Sequence, residues 1–152
     1  MDVMTETTHL KNPTLRWISF GLAILGLIDA SYLTWVKLTD RPVACIVGLG
    51  NCNTVSQSVY STWNGIPIAL IGALSYLAIL LLLFFEDKLD FFRQNSPLLV
   101  LGLCLIGFIY SIYLTYLELA VIKAICPYCV ASATLITILL IMAIIRSVPV
   151  RQ

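Results

Sequence analysis

Residues 126–145 read Cys-Pro-Tyr-Cys-Val-Ala-Ser-Ala-Thr-Leu-Ile-Thr-Ile-Leu-Leu-Ile-Met-Ala-Ile-Ile. The run from Pro127 to Ile145 carries no charge and has about the length, roughly 20 residues, that a helix needs to cross the hydrocarbon core of a bilayer. Proline suits the first helical position, so the helix starts at Pro127. Cys126 then stands against the free amides and positive dipole end of that helix, where a thiolate is stabilised and its pKa falls. Cys126 and Cys129 are also close enough in sequence to close a small disulfide ring. A membrane span that opens on a dithiol is the pattern against which the rest of the chain is read.

Three more segments repeat the apolar length without a cysteine pair: Leu15 to Leu38, Gly65 to Phe85 and Pro97 to Leu117. The 152-residue chain is 60% hydrophobic and 11% charged, against about 25% charged in soluble domains. Spanning segments must satisfy their own backbone polar groups, which favours helices. The alternating pattern of a membrane barrel is missing. The expected fold class is therefore an all-α membrane protein, a four-transmembrane-helix bundle forming a single membrane domain over 1–152. Its long outer loop at 39–64 holds a short surface helix over Asn53 to Ser61, with Val55 and Val59 on one face. The formal net charge is +1; with no basic stripe, nucleic acid is not a partner.

The polar start, Met1 to Leu10, shows no cleavage pattern, so the first apolar segment reads as an anchor that stays in the protein. Four crossings put Lys11, Arg16, Lys88, Arg93, Arg146 and Arg151 on one side, six of the nine basic residues, and Lys37, Arg41 and Lys123 on the other. Basic residues favour the cytoplasm. The termini are therefore expected there, with both cysteine pairs on the outer, oxidising side where disulfides persist. Tyr32-Leu33-Thr34-Trp35 and Tyr113-Leu114-Thr115-Tyr116 echo each other, with Cys45 and Cys126 each 13 residues beyond the first tyrosine.

Cys45 and Cys52 form the second pair, in the long loop, with Gly48 and Gly50 between them suiting a mobile segment. Thiol–disulfide exchange needs one sulfur to approach a disulfide in line, so a mobile pair beside a fixed one makes a relay. Zinc is the competing use of four cysteines, but six residues between Cys45 and Cys52 is wide for a zinc arm, and no metal is expected. Inert staples are the other alternative. Cys104, mid-span, reads as a buried small hydrophobe. Asp29 is an intramembrane carboxylate and so a functional candidate; pairing with Lys37 is the favoured plain reading. Glu118 is expected at the interface. Ser58, Tyr60, Ser61, Trp63 and Asn64 read either as a belt or as the lid of an aromatic pocket. His9 lies in the polar tail and is given no role.

Asp29-Ala30-Ser31-Tyr32-Leu33-Thr34, the Cys45/Cys52 pair, Asn51-Cys52 through Ser58, Tyr60-Ser61, Gly65-Ile66-Pro67 and Cys126-Pro127-Tyr128-Cys129 together resemble the vitamin K epoxide reductase family, in its short bacterial form without a fused thioredoxin-like domain. The ordered set spans residues 29 to 129 and is far more specific than Cys-x-x-Cys alone. The resemblance implies four helices around a quinone, ubiquinone, menaquinone or a related molecule. It implies that Cys129 faces the quinone, that Cys52 attacks Cys126, and that Cys45 completes the exposed pair. Ser58 matches the family's serine near the quinone head group, so Ser58 and Cys129 are the expected quinone-binding residues. The implied donor is a separate thioredoxin-like protein of the DsbA type, periplasmic or lumenal, with the enzyme a multi-pass protein of a bacterial cell inner membrane. The animal enzymes carry an amide and a phenol where this chain has Ile68 and Ala133, which favours simple quinone reduction over epoxide reduction. The other quinone-coupled disulfide oxidase family has its Cys-x-x-Cys in the first outer loop, so cysteine order counts against it. A disulfide-stapled membrane scaffold or transporter subunit is the non-enzyme alternative.

Overall fold

The computed structural model describes residues 13–45, 48 and 50–148; the polar tail with His9, and Lys11 and Arg151 of the charge count, lie outside them. Four long helices form the body: α1 (Pro13–Leu38), α3 (Ile68–Phe85), α4 (Asp90–Tyr116) and α5 (Pro127–Ser147). All are long and apolar enough to cross a membrane. Their outward faces carry apolar side chains such as Ile28, Leu81, Ile106 and Ile141, each about half exposed or more. A soluble bundle would place charges there. This is a multi-pass membrane protein.

α1 packs on α3 and α4 on α5, with α1 against α5 and α3 against α4 closing the bundle. Small residues set the approach of the first pair. Ala23, Ala30 and Ala73 are buried, and a Cβ on Gly26 would strike the Tyr76 ring. Tyr76 crosses the bundle, its hydroxyl lying 3.0 Å from the Ser132 carbonyl and 3.1 Å from Ser132 Oγ. Cys104, fully buried, packs in this core with Ile79, Ile136 and Leu139, as a small hydrophobe should.

The boundaries differ from the sequence expectation in instructive ways. α3 starts at Ile68 rather than Gly65, because Asn64 and Gly65 take positive φ and Ile66–Pro67 pairs back on Thr62–Trp63 as a two-stranded ribbon (β2 on β1). α4 starts at Asp90 rather than Pro97, which lies inside it. Asp90 suits the positive end of the helix, and prolines are tolerated inside membrane helices. The loop helix, α2 (Cys52–Gln57), begins on Cys52 itself and breaks at Ser58, whose extended backbone (ψ 153°) leads into a 3-10 turn at Val59–Ser61. The break puts Val55 among the cysteines and leaves Val59 81% exposed, so the two valines do not share a face. α4 is prolonged by a π-helical turn, Leu117–Ile122, which Lys123 ends in the left-handed conformation.

Candidate active site

All four paired cysteines meet at one end of the bundle. Cys52 and Cys126 are buried in one cluster with Val36 and Val43, and Cys45, Val55, Tyr128 and Cys129 pack against it. Cys45 and Cys52 form a disulfide with Cα atoms 6.1 Å apart, within the usual range. Cys126 and Cys129 are free thiols.

The loop is held onto the start of α5 by its backbone. Asn51 N donates to the Ile125 carbonyl at 3.0 Å. Gly50 makes that approach possible: its φ is +125°, and a Cβ there would collide with the same carbonyl. The sequence reading gave this glycine to mobility; the fold uses it for close contact. Two tyrosines grip the residue before Cys45. Ala44 N donates to the Tyr32 hydroxyl at 3.1 Å, and the Tyr128 hydroxyl donates to the Ala44 carbonyl at 2.7 Å. Their rings lie 5.4 Å apart. Val43 N is held by Asn53 Oδ1 at 2.8 Å. Tyr32 thus has a defined part, whereas its sequence echo Tyr113 is half exposed.

Cys126 is the N-cap of α5 and Pro127 follows at its first positions, as the sequence predicts. Its thiol is drawn down from 9.0 to about 7, first by the hydrogen bond with the Cys129 thiol and then by the backbone N–H groups of Cys129 and Tyr128. Burial and the nearby Glu118 charge push the other way and lose. A fraction of Cys126 is therefore thiolate at neutral pH, the form that exchanges with disulfides.

Glu118 is a correction to the sequence reading. The reading gave it only an interfacial place, whereas it is 5% exposed inside the protein. The π turn carries it inward, where Oε2 accepts Cys126 N–H at 3.3 Å and the side chain hydrogen-bonds Cys129. Nothing in helical periodicity marks a π turn, so the sequence offered no signal beyond a carboxylate eight residues before a cysteine. Asp29 is a second correction. Lys37 Nζ does not pair with it but donates to the Ser56 carbonyl at 2.7 Å, fastening α1 to α2. Asp29 Oδ2 is buried without a hydrogen bond.

Behind the cysteines lies a cavity of about 410 Å³ between the helices, in the usual range for small-molecule sites. Cys126, Cys129, Glu118 and Asp29 reach it, as do Ser58, Tyr60, Ser61 and Trp63 of the loop. Those loop residues cover a pocket, as the lid alternative has it, and Asn64 is not in its lining. Ile68 and Ala133 line the same space. The Ser58 hydroxyl donates to the Val55 carbonyl at 2.8 Å, leaving its lone pairs as acceptors. The mostly aliphatic lining with few polar groups fits a flat, apolar ring bearing carbonyl oxygens.

A bundle of four spanning helices, capped by a loop that lays a disulfide against a free dithiol, defines a membrane protein of the thiol–disulfide type. The chain belongs to the vitamin K epoxide reductase family, whose family profile matches residues 17–144. It is also similar to "Thiol-disulfide oxidoreductase LTO1" of Arabidopsis thaliana, 30% identical over 114 residues, or 72% of this chain. The chain spans 30% of that protein's length.

Proposed function

We propose that this protein is a quinone-dependent thiol oxidoreductase that takes electrons from a thioredoxin-like protein through its two cysteine pairs and so supports disulfide formation. The observation that carries the reading is continuity. A disulfide, a free dithiol and an apolar cavity follow one another, Cys45 being the more accessible end and Cys129 lining the cavity.

In this reading a thiolate of the donor attacks Cys45, and Cys52 leaves as the new thiolate. When Cys126 and Cys129 are joined, Cys52 attacks Cys126 and the released Cys129 is left beside the cavity. The loop residues cover the cavity, the Ser58 oxygen, its own proton given to the Val55 carbonyl, can accept from a quinol hydroxyl, and Cys126 holds the thiolate that the next disulfide needs. A quinone in the cavity supplies a two-electron acceptor. Ile68 and Ala133 offer neither the amide nor the phenol of the animal enzymes, which supports quinone over epoxide as acceptor. The scaffold alternative gives no use to a free, acidified Cys126 beside a disulfide. Termini in the cytoplasm, with the cysteines on the outer face of a bacterial inner membrane, complete the proposal. A reporter active only in the cytoplasm, fused at Gln152, tests the orientation.

The deciding experiment is reconstitution in lipid vesicles with a reduced thioredoxin-like protein. Donor thiols should disappear only when ubiquinone or menaquinone is present, with quinol appearing at one per disulfide. Oxidation of the donor at the same rate in quinone-free vesicles would remove the quinone from the proposal.

A further inference from the structure

We infer that Glu118 is the proton acceptor for Cys129 and carries that proton to the electron acceptor in the cavity. The inference rests on the quinone reading above and adds a route that the cysteines alone leave open.

Electron transfer from a dithiol to a quinone moves two protons as well as two electrons. Starting from a Cys126 thiolate and a Cys129 thiol, the sum is thiolate plus thiol plus quinone plus one solvent proton, giving disulfide plus quinol. The Cys129 S–H bond breaks and the Cys126–Cys129 S–S bond forms. The electron pair goes to the quinone, which is reduced. One quinol proton comes from Cys129 and the other from solvent, replacing the proton Cys126 gave up when it ionised. Both must reach the ring through an apolar space where free hydronium is excluded.

Glu118 is the group placed to carry the Cys129 proton. Its side chain interacts with the Cys129 thiol, whose one proton also serves the Cys126 sulfur, it lines the cavity, and it is 5% exposed, so a proton on it is not lost to bulk water. Its other tie, from Cys126 N–H at 3.3 Å, holds the carboxylate at the start of α5. The π turn at Leu117–Ile122 is what turns the side chain inward. As the Cys129 sulfur gives up its electrons, its proton passes to the Glu118 carboxylate. Glu118 then returns the proton to a ring oxygen and ends as it began. The other titratable or charged groups around this space are Cys126 on α5, Asp29 and Lys37 on α1, Tyr60 in the loop, Tyr76 on α3 and Tyr110 on α4. Of these, Cys126 touches Glu118 directly.

The test uses the full chain in vesicles, reduced in advance and mixed with ubiquinone in a single turnover. Glu118→Gln keeps the size and an oxygen that can accept Cys126 N–H, but it cannot take a proton. Quinone reduction should slow by about 10²-fold or more, the usual worth of a placed base. The solvent isotope effect should change, and the pH profile should lose one limb. Glu118→Asp, a shorter acid, should recover part of the rate and restore that limb. A readout needing no quinone is the S–H infrared band of Cys129, which should move to higher frequency in Glu118→Gln as its acceptor weakens. Equal slowing with an unchanged pH profile and isotope effect, or no slowing at all, overturns the role of Glu118. Failure of the unaltered protein to reduce quinone overturns the quinone reading instead, so the two failures are distinguishable.

Discussion

The two ends of the bundle treat buried charge in opposite ways. At the end away from the cysteines, Arg146 donates to both oxygens of Glu86 at 2.8 and 2.7 Å, with side chains 12% and 5% exposed. Arg16 pairs with Asp87 beside it. These pairs tie α1 and α5 to the end of α3 and its turn. At the cysteine end, Glu118 is equally buried, but its bonds are to a backbone N–H and a thiol, and Asp29 Oδ2 has no hydrogen bond. A carboxylate locked to a guanidinium holds helices together. A carboxylate bonded to a thiol can trade a proton with it. One end is built for position and the other for chemistry.

The largest break in this contrast comes from the sulfurs. Cys129→Ala should abolish quinone reduction, and Cys45→Ala should accumulate a Cys52–Cys126 crosslink because the thiol that would resolve it is gone. Non-reducing mass spectrometry of peptides around Cys52 and Cys126 reads the crosslink. Full activity of Cys45→Ala with a protein donor would contradict its role as the entry point.

At the opposite end, Glu86→Ala leaves Arg146 buried without its carboxylate, which should destabilise by about 3–5 kcal/mol. Thermal unfolding in detergent should register that loss, while prereduced protein that remains folded should still pass electrons to quinone. If unfolding is unaffected, that end is held by packing and not by its ion pairs.

Acidity sharpens the contrast further. With its pKa lowered to about 7, Cys126 should be half thiolate near neutrality. Its alkylation in the Cys129-intact, prereduced protein should rise through that region and level off above it. An unperturbed thiol would still be gaining thiolate two units higher. A midpoint near the ordinary 9.0 would show that the hydrogen bonds at the start of α5 do not govern this sulfur.

Much of this was legible in the chain itself. Hydropathy located four spans, and the end of α1 at Leu38, the end of α3 at Phe85 and the start of α5 at Pro127 agree with the reading to the residue. Hydropathy failed where a helix leaves the apolar layer. The first turns of α4 contain Asp90 and Arg93, which look like loop, and Pro97 looked like a start. The cysteine constellation was legible because its spacing is chemical. Lys37 and Glu118 were not, since each bonds to a distant backbone group or thiol. Lys37 meets Ser56 only after the loop folds back over α1, and Glu118 meets the sulfurs only through a π turn. Asn51 and Gly50 were seen as loop residues, and their fit to the Ile125 carbonyl belongs to tertiary structure.

The smallest expected effect isolates the grip on the loop. Tyr128 sits between the two cysteines of the Cys-x-x-Cys, yet its hydroxyl serves the other pair by holding the Ala44 carbonyl. Tyr128→Phe keeps the ring against Tyr32 and removes the hydroxyl's bond to Ala44, worth about 0.5–1.5 kcal/mol. The docked loop should therefore open roughly two- to tenfold more often. Two rates should move in opposite directions. Cys52 should reach Cys126 less often, slowing interchange, while a small soluble dithiol should reduce the freed Cys45–Cys52 bond faster. Hydrogen exchange at the Ala44 amide, which bonds Tyr32 in the same docked arrangement, should quicken by a similar factor. Ser147→Ala is the matching change at the opposite end, where the hydroxyl donates to the Ala143 carbonyl of its own helix at 2.7 Å. It should leave Ala44 exchange as it is. If Tyr128→Phe also leaves that exchange unchanged, the loop is held by its other ties, from Asn51, Asn53, Lys37 and Tyr32, and the tyrosine between the cysteines has no part in docking it.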